Sequence, residues 1–182
     1  MPVQTYVALL RGINLGARNK MSMADLRALF VALGHKEVAT HLQSGNVIFK
    51  SPGGGKPAEL IRAIEKRIKA DLALDVTVLL RSKAQLAKVR SSNPFATRSK
   101  DPTKLHVTCL AVTPERSRVR DLDPEAGGAD EFRVVGKEIF LHYPNGYGRS
   151  NLSNAYFEKR LGVTATTRNW RTVTKLAELV SS

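Results

Sequence analysis

A chain of 182 residues, 42% hydrophobic and 25% charged, has the make-up of a soluble globular protein with one large domain or two small ones. It needs no disulfide, because Cys109 is its one cysteine, and no apolar run approaches the ~18 residues of a membrane span. The formal net charge of +13 draws polyanions such as nucleotides and nucleic acid, although a charge spread over several helices is also that of a solvated surface.

The first residues lack the basic-then-apolar pattern of a signal segment. No membrane partner is expected, and the chain reads as cytoplasmic. Charge is uneven along the chain: +4 over residues 1–50, +7 over 51–100, −1 over 101–150 and +3 over 151–182.

In chain order, residues 5–10 (TYVALL) form a buried strand. A polar loop over 11–20 follows. Ser22 is a good N-cap with Asp25 three residues on, opening a helix that has Met23, Leu26, Phe30 and Leu33 on one face and stops at Gly34. Strands over 37–42 and 47–50 flank the turn Gln43-Ser-Gly-Asn46, a hairpin signal. The glycines of 53–55 lack the Gly-Lys-Ser/Thr that a phosphate loop needs, so they read as a surface loop. A basic amphipathic helix spans about 57–71 and a fourth strand 76–80. Strand, helix, strand, strand, helix, strand is the ferredoxin-like order.

A short basic helix over 83–90 leads through a loop into the second half. There, 105–112 is an apolar strand, and Cys109 within it reads as a buried, inert thiol. A helix over 114–122 is followed by an acidic turn-rich loop and a hairpin of 132–135 with 138–143. Gly45-Asn-Val-Ile-Phe and Gly136-Lys-Glu-Ile-Phe each put a glycine three residues before Ile-Phe, which suggests a duplicated unit. No closing strand stands out in the second half. Two helices, about 151–161 and 168–180, take its place, with Trp170 as a core anchor. The expected fold is α+β, two ferredoxin-like halves with the second incomplete and closed by two C-terminal helices. The expected divisions are 1–81, a basic helix and linker over 82–104, and 105–182.

No catalytic set stands out. His35, His41, His106 and His142 are not at metal-ligand spacing from one another or from a carboxylate, so no metal and no cofactor is expected. The unabsorbed chemistry lies in polar loops: Arg11, Asn14 and Lys20 after the first strand, Gln43 and Asn46 in the hairpin, Arg149 and Asn151 before one C-terminal helix, and Arg168 and Asn169 before the next. Backbone N–H groups at helix starts, with guanidinium forks beside them, hold phosphate or carboxylate. Turn and cap chemistry accounts for many of the asparagines and glycines, but not for three arginines.

The motifs Tyr6-Val-Ala-Leu-Leu-Arg-Gly-Ile-Asn-Leu-Gly, Gln43-Ser-Gly-Asn-Val-Ile-Phe, Pro144-Asn-Gly-Tyr-Gly-Arg-Ser and Ala165-Thr-Thr-Arg-Asn-Trp resemble the bacterial family called domain of unknown function 1697. The resemblance runs over nearly the whole chain. It implies a cytoplasmic α+β protein of ferredoxin-like units and supplies no activity or cofactor. The residues themselves favour a protein that binds a phosphate-bearing ligand, a nucleotide or nucleic acid, in a basic cleft between the halves. A small-molecule enzyme using the same loops and a structural or dimerisation module are the alternatives.

Overall fold

The computed structural model describes residues 2–182. It forms two compact units, one running through Ala87 and taking back Leu176–Ser182, the other Lys88–Lys175. The first unit holds β1 (Gln4–Leu10), α1 (Met23–Ala32), β2 (Lys36–His41), β3 (Asn46–Ser51), α2 (Pro57–Leu72) and β4 (Val78–Ser82), followed by α3 (Lys83–Ser92). Its sheet has the order β2-β3-β1-β4, with every pair antiparallel. That is the ferredoxin-like plait.

The local reasons are those the sequence carries. The Ser22 Oγ accepts the Asp25 N–H at 3.0 Å and so caps α1. Pro57 opens α2, whose apolar stripe buries Ile64 and Ile68. Tyr6, Ala8 and Leu10 on one face of β1 join Phe30, Val47, Phe49 and Leu80 in a single core. Burying a side chain of Leu or Phe size in such a core stabilises the fold by roughly 1.5–3 kcal/mol each.

The second unit repeats the plan. β5 (Leu105–Leu110), α4 (Arg116–Arg120), β6 (Glu131–Val135), β7 (Glu138–His142), α5 (Asn154–Leu161) and β8 (Ala165–Asn169) lead into α6 (Trp170–Leu179). The sheet order is β6-β7-β5-β8, again all antiparallel. Two ferredoxin-like halves and C-terminal helices are therefore present, with one correction. The second half is not short of its closing strand. Residues 165–169, expected to sit between and within the two C-terminal helices, are that strand. Ala-Thr-Thr-Arg-Asn carries almost no apolar signal, and it becomes a strand because β5 offers it a full ladder from Leu110 to His106.

The internal repeat is real but its register differs from the sequence reading by one residue. The Leu10 N–H donates to the Gly45 carbonyl, and the Leu110 N–H to that of Lys137. Val7 faces Ile48, and Val107 faces Phe140. Ile48 thus corresponds to Phe140, and Phe49 to Leu141. Aligning the two Ile-Phe pairs would put Phe140 on the helix-covered face, where the core in fact holds Leu141 and Ile139.

A stronger sign of duplication lies in the last strands. Arg81 of β4 faces Val7 and Arg168 of β8 faces Val107. Both arginines are buried, and each donates from Nη1 to the preceding carbonyl, at 2.9 Å from Leu80 and 3.0 Å from Thr167. Each is followed by a residue that caps a helix: the Ser82 Oγ accepts from the Gln85 N–H, and the Asn169 Oδ1 from that of Thr172. Cys109 is buried, and Trp170 is a core residue.

One buried group makes stability depend on pH. The His35 ring packs against Phe49 and Phe30 at 4.6 and 5.9 Å between centroids, and its Nδ1 has no hydrogen-bond partner in the protein. Burial holds this imidazole below its ordinary value near 6.5. The folded chain then takes up the proton less readily than the unfolded one. Its contribution is intact above about pH 6.5 and is lost as pH falls below that value. We expect His35→Phe to lose less stability than the unmodified protein between pH 7.5 and pH 5, read by denaturant melts at each pH. Equal losses in the two proteins would contradict this.

Candidate anion site in the first unit and polar cluster in the second

In the first unit the loop after β1 is drawn to the β2–β3 hairpin by a side chain and by a glycine. Asn14, in the left-handed region with φ 53°, uses its whole carboxamide on the backbone. Nδ2 donates to the carbonyls of Met21 (3.1 Å) and Gln43 (2.8 Å), and Oδ1 accepts the Met21 N–H at 2.8 Å. Asn19 adds a bond from Nδ2 to the Gly12 carbonyl at 3.1 Å. Gly45, with φ +83°, lies so close to the loop that an added Cβ would sit 2.6 Å from Cδ1 of Ile13 and 2.9 Å from Cβ of Leu10. Only glycine suits both the conformation and the approach.

The result is an open pocket of about 490 Å³ lined by Asn14, Gly16, Lys20, Met21, Ser22 and Gln43. Three of the residues expected to bind an anion, Asn14, Lys20 and Gln43, are brought together there beside Ser22, the N-cap of α1. Their roles differ. Asn14 is spent on the loop, while Lys20 and Gln43 are exposed. Because Ser22 has already taken the Asp25 N–H, the N–H groups of Met23 and Ala24 are the open donors of that turn. Two other expected residues are not in the lining. Asn46 is fully buried, donating to the His41 carbonyl at 2.7 Å and to the Ser44 Oγ at 3.1 Å. Arg11 is half-buried, with its backbone N–H on the Thr77 carbonyl.

In the second unit the four expected residues do not share a setting. Arg168 stands inside β8 rather than at a helix start. It is 8% exposed, with Nη1 on the Thr166 Oγ1 at 2.8 Å as well as on the Thr167 carbonyl. Burial lowers its affinity for the proton. Asn169 is exposed and is the cap of α6. Arg149 ends the short 3₁₀ turn Tyr147–Arg149, and Asn151 follows it, both exposed.

A polar cluster that sequence reasoning missed lies on the helix-covered face of this sheet. The Thr167 Oγ1 donates to the Asn154 Oδ1 at 2.6 Å and lies 2.7 Å from the Thr108 Oγ1. With its one hydrogen given to Asn154, Thr167 accepts from Thr108. In the first unit the matching pair is Ala8 and Leu80, so the fold does not need hydroxyls there. The signal was available in Thr108, a hydroxyl in an otherwise largely apolar strand. At the end of the same face, His106 stacks on Tyr147 with centroids 4.9 Å apart and planes 17° apart, and meets Tyr143 edge-on at 5.1 Å. The His106 Nδ1 is buried without a protein partner, and burial holds the imidazole below its ordinary value.

A larger groove, about 740 Å³, lies elsewhere, between α4 and α5. Its size does not make it the better site, because its two arginines are already engaged. Arg118 pairs with Glu115 at 3.8 Å and lies 3.2 Å from where a Cβ on Gly162 would be, over the end of α5, and Arg160 covers the Tyr156 ring. Among the described residues no group of three His, Cys, Asp or Glu is placed to hold a metal ion, and no helix is long and apolar enough to cross a membrane.

A family model described as "Protein of unknown function (DUF1697)" matches residues 3–140. Conserved bacterial protein SP0830 from Streptococcus pneumoniae has a solved structure similar to this one, with a TM-score of 0.68 over 98% of this chain and 99% of that one at 22% identity. At that identity the likeness speaks for the fold. No curated protein matches the chain.

The close approach at Gly45 gives the expected outcome for this site. Gly45→Ala combines a strained left-handed residue with a clash against Ile13, a cost of about 2–4 kcal/mol. A thermal melt should show a fall of several degrees. An unchanged melting temperature would mean that the hairpin is not held against the loop as described.

Proposed function

Since the chain belongs to the DUF1697 family of proteins of unknown function, membership brings no activity, and we propose from the residues that the first unit binds a small phosphate-bearing ligand. The observation that carries this reading is the pocket that gathers Lys20, Gln43 and Ser22, the N-cap of α1, next to the open N–H groups of that helix. An ammonium group, a carboxamide and helix N–H donors on one concave surface are complementary to phosphate oxygens. The Asn14 carboxamide and the Gly45 contact fix the two loops in advance, so less ordering is needed when the ligand arrives. Asp25 on the same turn limits the total charge the site accepts.

The lining supplies hydrogen-bond donors and one fixed positive charge. That chemistry suits holding an anion better than moving a proton, which favours a binding role over an enzymatic one. Inorganic phosphate should bind the protein in a calorimetric titration at low ionic strength. Lys20→Ala should weaken binding about tenfold or more, the effect of removing a charge-assisted hydrogen bond, and Gln43→Ala should weaken it less. Absence of binding, or equal binding by Lys20→Ala, would refute the assignment.

A further inference from the structure

Tyr147 is 41% exposed, and it is the one aromatic among the large hydrophobic side chains described as exposed. An exposed ring usually moves freely, but this one is fixed from behind. His106 stacks on one face of it, and Tyr143 meets it edge-on at 5.3 Å. Tyr143 is itself fully buried and donates its hydroxyl to the Leu152 carbonyl at 2.9 Å, tying both ends of the loop together. The result is a braced aromatic platform.

Its surroundings are open and basic. A Cβ built on Gly146 or on Gly148 would meet nothing within 4 Å, so the backbone on either side of Tyr147 leaves room for a ligand to reach the ring face that His106 does not cover. Arg149 lies in the same 3₁₀ turn and is exposed. Lys104 accepts the Tyr143 N–H at its carbonyl, and Arg171 stands two residues beyond Asn169, the partner of His106 in β8. Two acids stand at this end, Asp101 near Lys104 and Arg171 and Glu131 paired with Arg98, against the four cations Lys104, Arg171, Arg98 and Arg149. In the first unit the corresponding loop after β3 is Pro52-Gly-Gly-Gly-Lys56, with no aromatic, so the plait itself does not call for a platform there.

We propose that Tyr147 is a stacking platform for one base of a single-stranded nucleic acid, whose neighbouring phosphates meet Arg149, Lys104 and Arg171. An aromatic ring that is rigid on one side and open on the other, with cations around it, is the arrangement that binds single strands with little sequence preference. It is independent of the phosphate pocket in the first unit.

The test uses the full chain and fluorescein-labelled octamers of uridine and of thymidine, read by anisotropy at about 50 mM salt. The unmodified protein should bind both. Tyr147→Ala should weaken binding roughly 5- to 150-fold, the range for losing one stacked base, while Tyr147→Phe keeps the ring and binds within about twofold of the unmodified protein. Arg149→Ala should reduce the slope of log affinity against log salt by about 0.7, the value for one phosphate contact to a single strand. The loss caused by Tyr147→Ala should be of the same size on a Lys20→Ala background, which separates this site from the pocket of the first unit. The proposal fails if neither octamer binds, if Tyr147→Ala binds as well as the unmodified protein, if a duplex of the same length binds as tightly, or if uridine monophosphate alone binds as tightly as the octamer.

Discussion

Each half of this protein depends on the two-sided pairing of its first strand. β1 and β5 are bonded along both edges, and at their ends two successive N–H groups reach opposite neighbours. Leu10 donates to Gly45 and Arg11 to Thr77, and in the second half Leu110 donates to Lys137 and Ala111 to Thr164. These four bonds fix the register of three strands in each sheet. A slip of one residue would exchange Tyr6, Ala8 and Leu10 on the helix-covered face with Val7 and Leu9, which are buried on the other face. The same bonds set where the loops emerge. Gly45 is held against Ile13 because its carbonyl is already bound to the strand that leads into that loop.

On this shared frame the halves have diverged at a few positions. Buried arginines at matching places, each followed by a helix cap, are common to both. Elsewhere Ala8 and Leu80 in one half stand where Thr108 and Thr167 form a hydrogen-bonded chain to Asn154 in the other. A buried polar chain is worth its desolvation only when every member is satisfied. Here its effect is to fix the Asn154 amide at the start of α5, beside the loop that carries Tyr147. The first half instead keeps its polar chemistry in the β1–α1 loop. One fold thus presents two different kinds of surface.

Much of the frame was legible in the sequence. Alternating and helical periodicity gave the elements of the first half, and Ser22 marked the start of α1. β8 was not legible, because Ala165-Thr-Thr-Arg-Asn169 has the polarity of a loop and is a strand only by virtue of its partner. The candidate site was legible as a set of residues but not as a set of roles. An asparagine that holds a ligand and one that ties its own loop look alike in sequence. For Asn14 the difference is made by Met21 and Gln43, the latter 29 positions away. The setting of Arg168 was hidden for a related reason. A guanidinium next to a helix start reads as an anion ligand, and the residue falls one position before the capping Asn169, inside β8 and buried.

The central claim is that the loops drawn together by Asn14 and Gly45 form an anion site in the first unit. The most direct measurement is a titration of the isotope-labelled protein with inorganic phosphate, followed through its backbone amide resonances. The account predicts shifts that saturate together and cluster at residues 16–24 and 43–45, with the amides of Met23 and Ala24 among the most affected. Shifts centred on other elements, or a weak drift spread evenly over the basic surface, would contradict it.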